Sequence, residues 1–221
     1  MVLASEEQQI ASILESPNAP LLANRLFSAL EEEKKRREYF YRDIDDDMKV
    51  EFINGEVIAH SPVKKEHTDA TGLLYKLLDT HVDIHQLGYV GYEKVMTSLT
   101  RNDYEPDVVF FKQEKAAHFK KGHWKYPAPD LAVEVLSEGT EHRDRGIKFQ
   151  DYAAHNVEEY WIIDPIAETI EQYFLEGEEY KLHLKLEEGM IRSKAVLGFA
   201  ILVRAVFDRK VNLEALKGIM E

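Results

Sequence analysis

Two carboxylates stand at unusual places in this sequence. Asp107 follows Pro106 at the head of an apolar run that extends to residue 111, and Glu134 lies inside the apolar run 131–136. Apolar runs of this length near a proline are typical of buried strands. A carboxylate buried in a strand needs a cation, a metal ion or a proton beside it. We therefore expect a functional site around these two residues.

Asp107 and Glu134 predict a metal site if their two strands are neighbours. Side chains on neighbouring strands can point to the same face of a sheet. Two carboxylates at that distance repel each other, and one pKa rises unless a cation lies between them. Mg²⁺ and Mn²⁺ prefer oxygen ligands, and the backbone carbonyl of Val135 would add another oxygen. The expected ligands of Mg²⁺ or Mn²⁺ are Asp107, Glu134 and Val135.

Lys148 follows on a predicted helix that packs back over these strands. Near a metal ion and carboxylates, an ammonium group can orient a water molecule and stabilise charge developing on a phosphate. Glu51, on an adjacent strand or turn, is a candidate further acid. The residue types leave an ordinary alternative open, in which Glu134 simply pairs with Lys148 and nothing is bound. Asp144 lies four residues before Lys148, so a plain helix ion pair is also available.

The elements around these residues predict an α/β domain. A strand, a helix and a strand between about 130 and 164 form a βαβ unit, which implies a parallel pair with a right-handed crossover. Asn54-Gly55 predicts a hairpin over 50–58 that carries Glu51. The other expected elements are helices over 62–86, 144–155 and 212–219, extended pieces within 88–99, a turn at Asn102-Asp103, paired strands over 169–175 and 180–186, and a strand within 195–207.

The first part of the chain predicts a helical arm. Residues 1–38 have helical patterns interrupted between Pro17 and Pro20, so we expect an N-terminal helical extension over 1–40 and one domain over 41–221. The charge run 31–37 is either a docking surface or a solvated helix face. The apolar residues at helical spacing in the second helix are Leu22, Leu26, Phe27 and Leu30.

Composition limits the class of protein. The 28 basic and 41 acidic residues give a net charge of −13, which disfavours a protein that coats DNA but not an enzyme with a local cation site. The absence of cysteine excludes disulfides and thiolate metal sites. Neither a membrane span nor a signal peptide is recognisable, so a cytoplasmic protein without membrane contact is expected.

Three other segments resemble ligand sites only weakly. The Asp-rich loop 43–47 lacks the spacing and distal Glu of a calcium-binding EF-hand. His81 and His85 have a spacing that suits a metal ion, but two exposed helix histidines are the favoured explanation, and no third ligand is suggested. The lysine-rich segment 112–125 is either a border for a phosphate backbone or an exposed loop kept soluble by its charge.

Taken together, Asp107, Glu134 and Lys148 resemble the PD-(D/E)xK nuclease superfamily, whose restriction-endonuclease-like core holds a divalent metal beside a mixed sheet. More narrowly, residues from about 45 to 205 resemble the Uma-two family of restriction-endonuclease-like proteins. The stretches that carry the resemblance are 50–56, Ser61-Pro62 with His67, 105–107, 129–137, Lys148 with Tyr152-Ala153, and 157–165.

The resemblance implies an α/β fold with a restriction-endonuclease-like mixed central sheet flanked by helices. It also implies a Mg²⁺- or Mn²⁺-dependent endonuclease acting on DNA, with Asp107 and Glu134 as metal ligands, Lys148 as the catalytic lysine and Glu51 as a further acid. In the plain motif the lysine lies two residues after the acid, where this chain has Leu136. Lys148 is therefore expected to take that role from the helix.

A homodimer fits this resemblance, because nuclease relatives cut two strands with two copies. Two alternatives remain open. One is a non-catalytic binding module on the same scaffold, since a fold does not fix a function. The other is a structural or oligomeric protein with a vestigial site.

Overall fold

The computed structural model of the chain describes residues 6–44 and 48–221. The helices, in chain order, are α1 (Glu6–Leu14), α2 (Ala19–Asp43), α3 (Lys65–His85), α4 (Gln113–Ala116), α5 (Glu141–Asp144), α6 (Ile147–Ala154) and α7 (Arg209–Met220). The strands are β1 (Val50–Ile53), β2 (Glu56–Ala59), β3 (Gly88–Tyr92), β4 (Met96–Ser98), β5 (Asp103–Tyr104), β6 (Val108–Lys112), β7 (Lys125–Tyr126), β8 (Leu131–Val135), β9 (Glu159–Asp164), β10 (Thr169–Glu176), β11 (Glu179–Leu186), β12 (Met190–Arg192) and β13 (Ala200–Leu202).

A six-stranded mixed sheet in the order β11-β10-β9-β8-β6-β3 forms the centre of the domain. Strands β8 and β9 run parallel, as the predicted βαβ unit requires, and the other neighbours in this sheet are antiparallel. The predicted α/β fold with a mixed central sheet flanked by helices is therefore confirmed. The predicted pair β10–β11 is also present.

Alternation along β8 sends its side chains to two different cores. Leu131, Val133 and Val135 point into the larger core, which they share with α3 and α7. Ala132 points to the opposite face, against Tyr152 of α6. Since successive strand residues alternate faces, Glu134 lies on the α6 side, beneath the helix that carries Lys148.

A second sheet, in the order β2-β1-β5-β4-β7, was not predicted as a separate unit. Its hairpin β1–β2 has the expected turn, with positive φ at Asn54 and Gly55. Glu51 belongs to this sheet and not to the central one. Phe40 of α2 packs on its outer face with Phe52, so the end of the long helix is anchored here.

Three local predictions were wrong. The predicted helix 144–155 is divided into α5 and α6 at Gly146, where the backbone leaves the helical region (φ −115°, ψ −101°) and where a Cβ would lie only 2.6 Å from the His142 carbonyl oxygen. The apolar run 195–207 contains only the short strand β13 and then a 3₁₀ helix, Val203–Val206, because a fully buried run carries no periodicity that separates strand from helix. Asp103 lies in strand β5, not in a turn.

The N-terminal segment forms the two predicted helices, α1 and α2. Helix α2 continues to Asp43, past the predicted division at residue 40, and that division remains a prediction. The acidic loop considered for calcium lies mostly outside the described residues, at 45–47. Among the helices that the structure describes, none is long and apolar enough to cross a membrane.

Candidate active site

Asp107 and Glu134 meet across the antiparallel pair β6–β8. Val108 pairs with Val133, so the same register places Asp107 opposite Glu134. Both carboxylates line a cavity of about 490 Å³ between the central sheet, the start of α3 and the segment 136–144. The sequence prediction that these two acids share a face of neighbouring strands is consistent with this geometry.

Lys148 brings three carboxylates together. Its ammonium nitrogen lies 2.9 Å from Glu51 Oε1, 3.0 Å from Glu134 Oε1 and 3.3 Å from Asp144 Oδ1. The lysine is only 2% exposed, and Tyr152 donates a second hydrogen bond to Glu134 Oε1 at 2.9 Å. The amine from helix α6 therefore joins an acid of the central sheet to an acid of the second sheet.

The charges of this cluster do not balance. Burial raises the pKa of Glu134, and the neighbouring carboxylates of Asp144, Asp107 and Glu51 raise it further, so that the Lys148 ammonium only partly offsets them. Burial also raises the pKa of Asp144. Burial alone would lower the pKa of Lys148, but its three carboxylate neighbours hold that pKa well above the usual value. The lysine stays protonated, and negative charge is in excess.

Asp107 is held in one orientation by three groups. Its Oδ1 lies 3.0 Å from Lys49 Nζ, and its Oδ2 accepts a hydrogen bond from the Val135 amide at 2.8 Å and lies 3.2 Å from His67 Nε2. Burial raises the pKa of Asp107, but His67 and Lys49 outweigh that effect and lower the pKa below its usual value. Asp107 is therefore an ionised, pre-oriented carboxylate at the cavity wall.

Glu51 is buried behind the cavity. Its Oε1 accepts the amide of Glu105 at 3.0 Å, and its Oε2 lies 3.0 Å from His60 Nε2. Burial raises the pKa of Glu51, but Lys148 and His60 together lower it to about 2. Glu51 thus fixes Lys148 from behind and does not itself line the cavity.

Sequence reasoning missed several groups at the cavity wall. Asp144 was considered only as a helix partner of Lys148, and Lys49, His60 and Arg143 were not considered. The four-residue spacing of Asp144 and Lys148 was the one available signal. Lys49, His60 and Arg143 line the cavity because of tertiary packing, which no local sequence pattern predicts.

The cations that line the cavity differ in their partners. Lys148 has three carboxylate partners, Lys49 has Asp107 and Glu93, and Lys64 has Glu138. Arg143 has no carboxylate partner among the residues that the structure describes, and its buried Nε has no hydrogen-bond acceptor there. Within the described chain, Arg143 is therefore the arginine or lysine at this wall whose charge no carboxylate offsets.

The donor set suits an oxygen-preferring divalent cation. The buried carboxylates have excess negative charge, and Asp144, whose Oδ1 lies 3.3 Å from Lys148 Nζ, shares that ammonium with Glu134 and Glu51. Residues 6–44 and 48–221 contain no group of three or more His, Asp or Glu side chains already arranged around one point. Mg²⁺ needs only one or two carboxylates, with waters and substrate phosphate completing its shell. Asp107 and Glu134 fit that requirement, while a role for the Val135 carbonyl remains a prediction.

The other candidate sites lie elsewhere. His81 Nε2 lies 3.0 Å from the Leu197 carbonyl oxygen, at the core and away from the cavity. Lys112 and Lys115 of the basic segment pair with Glu158 and Asp130. No residue of 112–125, all of which the structure describes, lines the cavity. His81, Lys112 and Lys115 therefore stabilise the fold and do not extend the candidate site.

Comparison with known proteins identifies relatives of this chain. The model of the Uma2 family, described as "Putative restriction endonuclease", matches residues 32–204. An uncharacterized protein, sll1609, of Synechocystis sp. is 26% identical over 151 residues, which cover 67% of this chain and 85% of that protein. A crystal structure described as "a putative nuclease belonging to DUF820 from Anabaena variabilis" superposes with a TM-score of 0.64 at 15% identity, covering 76% of this chain and 94% of that one. At that identity the structural likeness shows the fold.

Proposed function

Because this chain belongs to the Uma2 family, we propose that it is an endonuclease that hydrolyses phosphodiester bonds in DNA with the help of Mg²⁺ or Mn²⁺. The observation that supports this proposal is the cluster of Asp107, Glu134 and Asp144 with Lys148 at the wall of one open cavity. A buried structural ion pair would not need three acids around one amine, as Glu51, Glu134 and Asp144 are placed around Lys148, nor an opening to solvent.

The carboxylates would hold the cation, and the lysine would hold the carboxylates. Asp107 and Glu134 face each other across two strands, at the position where a divalent ion would be bound. Lys148 keeps Glu134 and Glu51 in fixed orientations through hydrogen bonds. When bound, the metal ion would supply Lewis-acid stabilisation of the phosphate and lower the pKa of the attacking water.

Arg143 would bind the phosphate of the substrate. A guanidinium presents several N–H donors in a planar fork that matches phosphate oxygens. The side chain lines the cavity close to the acids and lacks a carboxylate partner in the described part of the chain. It would orient the phosphodiester and stabilise the charge that develops on its oxygens during hydrolysis.

The first test is cleavage of supercoiled plasmid and of labelled duplex, single-stranded DNA and RNA oligonucleotides. We expect DNA cleavage with Mg²⁺ or Mn²⁺, none with a chelator, and loss of cleavage in Asp107→Ala. A preparation of Asp107→Ala that cleaves as fast as the unaltered chain would show a contaminating nuclease and remove the proposal. Metal binding by Mn²⁺ titration calorimetry gives a readout that does not depend on turnover.

A second candidate is a non-catalytic nucleic-acid-binding module on the same scaffold. It is favoured by Leu136 at the position of the motif lysine and by the engagement of Lys148 with three carboxylates. A single assay with end-labelled DNA distinguishes the nuclease from the binding module. Retention of DNA on a filter without any shortened product, with Mg²⁺ and with Mn²⁺, would select the binding module.

A further inference from the structure

The N-terminal arm, defined as residues 6–30, exposes a large apolar surface. Of residues 7–32, all of which the structure describes, none is buried. Monomeric soluble proteins rarely expose contiguous apolar patches of more than a few hundred Å², and larger patches mark interaction sites. The large apolar side chains of the arm, which are between 41% and 71% exposed, are Ile10, Ile13, Leu14, Leu21, Leu22, Leu26, Phe27 and Leu30.

The apolar stripe of α2 continues a face that is buried farther along the same helix. Leu22, Leu26 and Leu30 follow one another at four-residue spacing, which places them on one side of the helix. The same side continues to Glu33 and Phe40, which are buried against the second sheet. The helix therefore has one packing face, of which the C-terminal half is covered by its own domain and the N-terminal half extends beyond it.

We propose that the arm of a second copy of this chain covers this surface, in a two-fold symmetric dimer. The exposed apolar area of the arm is consistent with a second copy of the chain as the partner. If about 100 Å² is removed from water at each of the six side chains other than Leu21 and Phe27, which lie on other sides of α2, each partner buries roughly 600 Å², and the total of about 1,200 Å² is at the lower end of the range for specific stable interfaces. Helix α1 ends at Leu14 and α2 begins at Ala19, so a short connection joins them, and two such helix pairs packed face to face would make a four-helix arrangement.

The charge distribution also favours a second copy. The chain carries a net charge of −13, so two copies repel each other over most of their surfaces. Residues 16–30 contain a single charged residue, Arg25. Contact through residues 16–30 avoids like charges there, and apart from Arg25 this segment offers no charged group that would select a partner of opposite sign. A two-fold interface requires a patch that packs on itself, which a stripe of leucines can do.

The test is the mass of the full-length protein in solution, by sedimentation velocity and light scattering over the micromolar range. We expect twice the mass of one chain for the unaltered protein and the mass of one chain for Leu26→Glu/Leu30→Glu. The matched control is Leu182→Glu/Leu197→Glu, which alters two exposed leucines outside the arm and should leave the dimer intact. A monomeric unaltered protein, or a dimer that survives the arm substitutions, would overturn the proposal.

A crosslinking experiment covers the case in which the arm substitutions disturb folding. The chain contains no cysteine, so single cysteines can be placed without background. Ala29→Cys, on the exposed side of α2, should form a covalent dimer with a short bis-maleimide, whereas Ala154→Cys, exposed on α6, should not. Equal crosslinking of both, or of neither, would contradict an arm-to-arm contact. Neither measurement depends on nuclease activity, so this proposal and the proposed function can fail separately.

Discussion

Two neighbouring strands each bury a glutamate, and the two glutamates differ in their hydrogen-bond and ion-pair partners. Glu134 in β8 is 3% exposed and Glu159 in β9 is fully buried. Glu159 accepts hydrogen bonds from uncharged donors, which are Trp161 Nε1, Gln172 Nε2, Ser193 Oγ and the amides of Lys194 and Ala195. Glu134 instead shares a lysine with two other acids and faces a cavity.

The difference separates a structural carboxylate from a candidate functional one. Glu159 Oε1 accepts from Trp161 and Gln172 of the central sheet and Oε2 accepts from residues 193–195, so this residue attaches the loop 193–195 to the central sheet. Glu134 has its pKa raised by burial and by like charges, which costs stability whenever it is ionised. Groups held in such an unfavourable state are concentrated at sites of binding and catalysis.

The largest expected effect comes from removing the shared cation. In Lys148→Met, the carboxylates of Glu51, Glu134 and Asp144 lose their common partner and remain buried. We expect a loss of about 3–5 kcal/mol in the free energy of unfolding, because breaking a buried ion pair leaves uncompensated charge. Urea denaturation at neutral pH measures this loss, and Mn²⁺ should restore part of it. Unchanged stability would mean that the cluster does not hold its charge as described.

The same substitution at both glutamates tests whether their roles differ. Glu159→Gln places an amide against donors that need an acceptor, so we expect it to lose about 1.5–3 kcal/mol of stability while cleavage stays unchanged. Glu134→Gln removes a proposed metal ligand, so we expect it to abolish cleavage. It also removes a charge that burial and the neighbouring carboxylates disfavour, so we expect the free energy of unfolding at pH 8 to rise by about 1 kcal/mol.

The sign of the Glu134 effect follows from its raised pKa. Between the usual value of 4.5 and the higher folded value, the folded state binds more protons than the unfolded state, so stability falls as pH rises. The advantage of Glu134→Gln should therefore shrink as the pH is lowered toward 4.5. If both variants lost stability equally, the distinction between the two carboxylates would be wrong.

A smaller effect is expected for the unpaired cation. Arg143→Gln removes the proposed phosphate contact, so we expect KM for DNA to rise by about tenfold, since a hydrogen bond to a charged group contributes about 1.5–3 kcal/mol. Stability should change by less than about 0.5 kcal/mol, because the side chain has no carboxylate partner in the described chain. Arg145→Gln is the control, since Arg145 pairs with Glu141 and Glu171 and does not line the cavity. A higher KM in the control alone would contradict the assignment.

The smallest effect concerns a third carboxylate, Glu171 of β10. Burial raises its pKa, but Arg145, Tyr173 and Lys185 outweigh burial and lower the pKa to about 2. A lowered folded pKa contributes stability above pH 4.5 that is lost as the pH falls toward 2. We expect Glu171→Gln to cost about 1 kcal/mol or less at pH 7, and the difference from the unaltered chain should vanish in that acidic window. Denaturation curves at several pH values measure it, and a difference that is independent of pH would exclude the ion pairs as its cause.

The sequence alone determined the local elements and the two facing acids. Alternation and proline placed the strands that carry Asp107 and Glu134, and Asn54-Gly55 fixed the hairpin that carries Glu51. These features depend on residues close in the chain, whose periodicity is set by backbone geometry. The residue types predicted a metal site with Lys148 beside it but left an ordinary ion pair equally open, and the family resemblance favoured the metal site.

The tertiary structure alone decided what surrounds those acids. It divided the helix before Lys148 at Gly146, placed Glu51 in a second sheet behind the lysine, and left Arg143 without a carboxylate partner among the described residues. The partners of a charged side chain are chosen by segments distant in sequence, and their charges and burial set its pKa. Periodicity carries no information about which distant segments meet, and for that reason the charge balance of this site could be determined only in the folded chain.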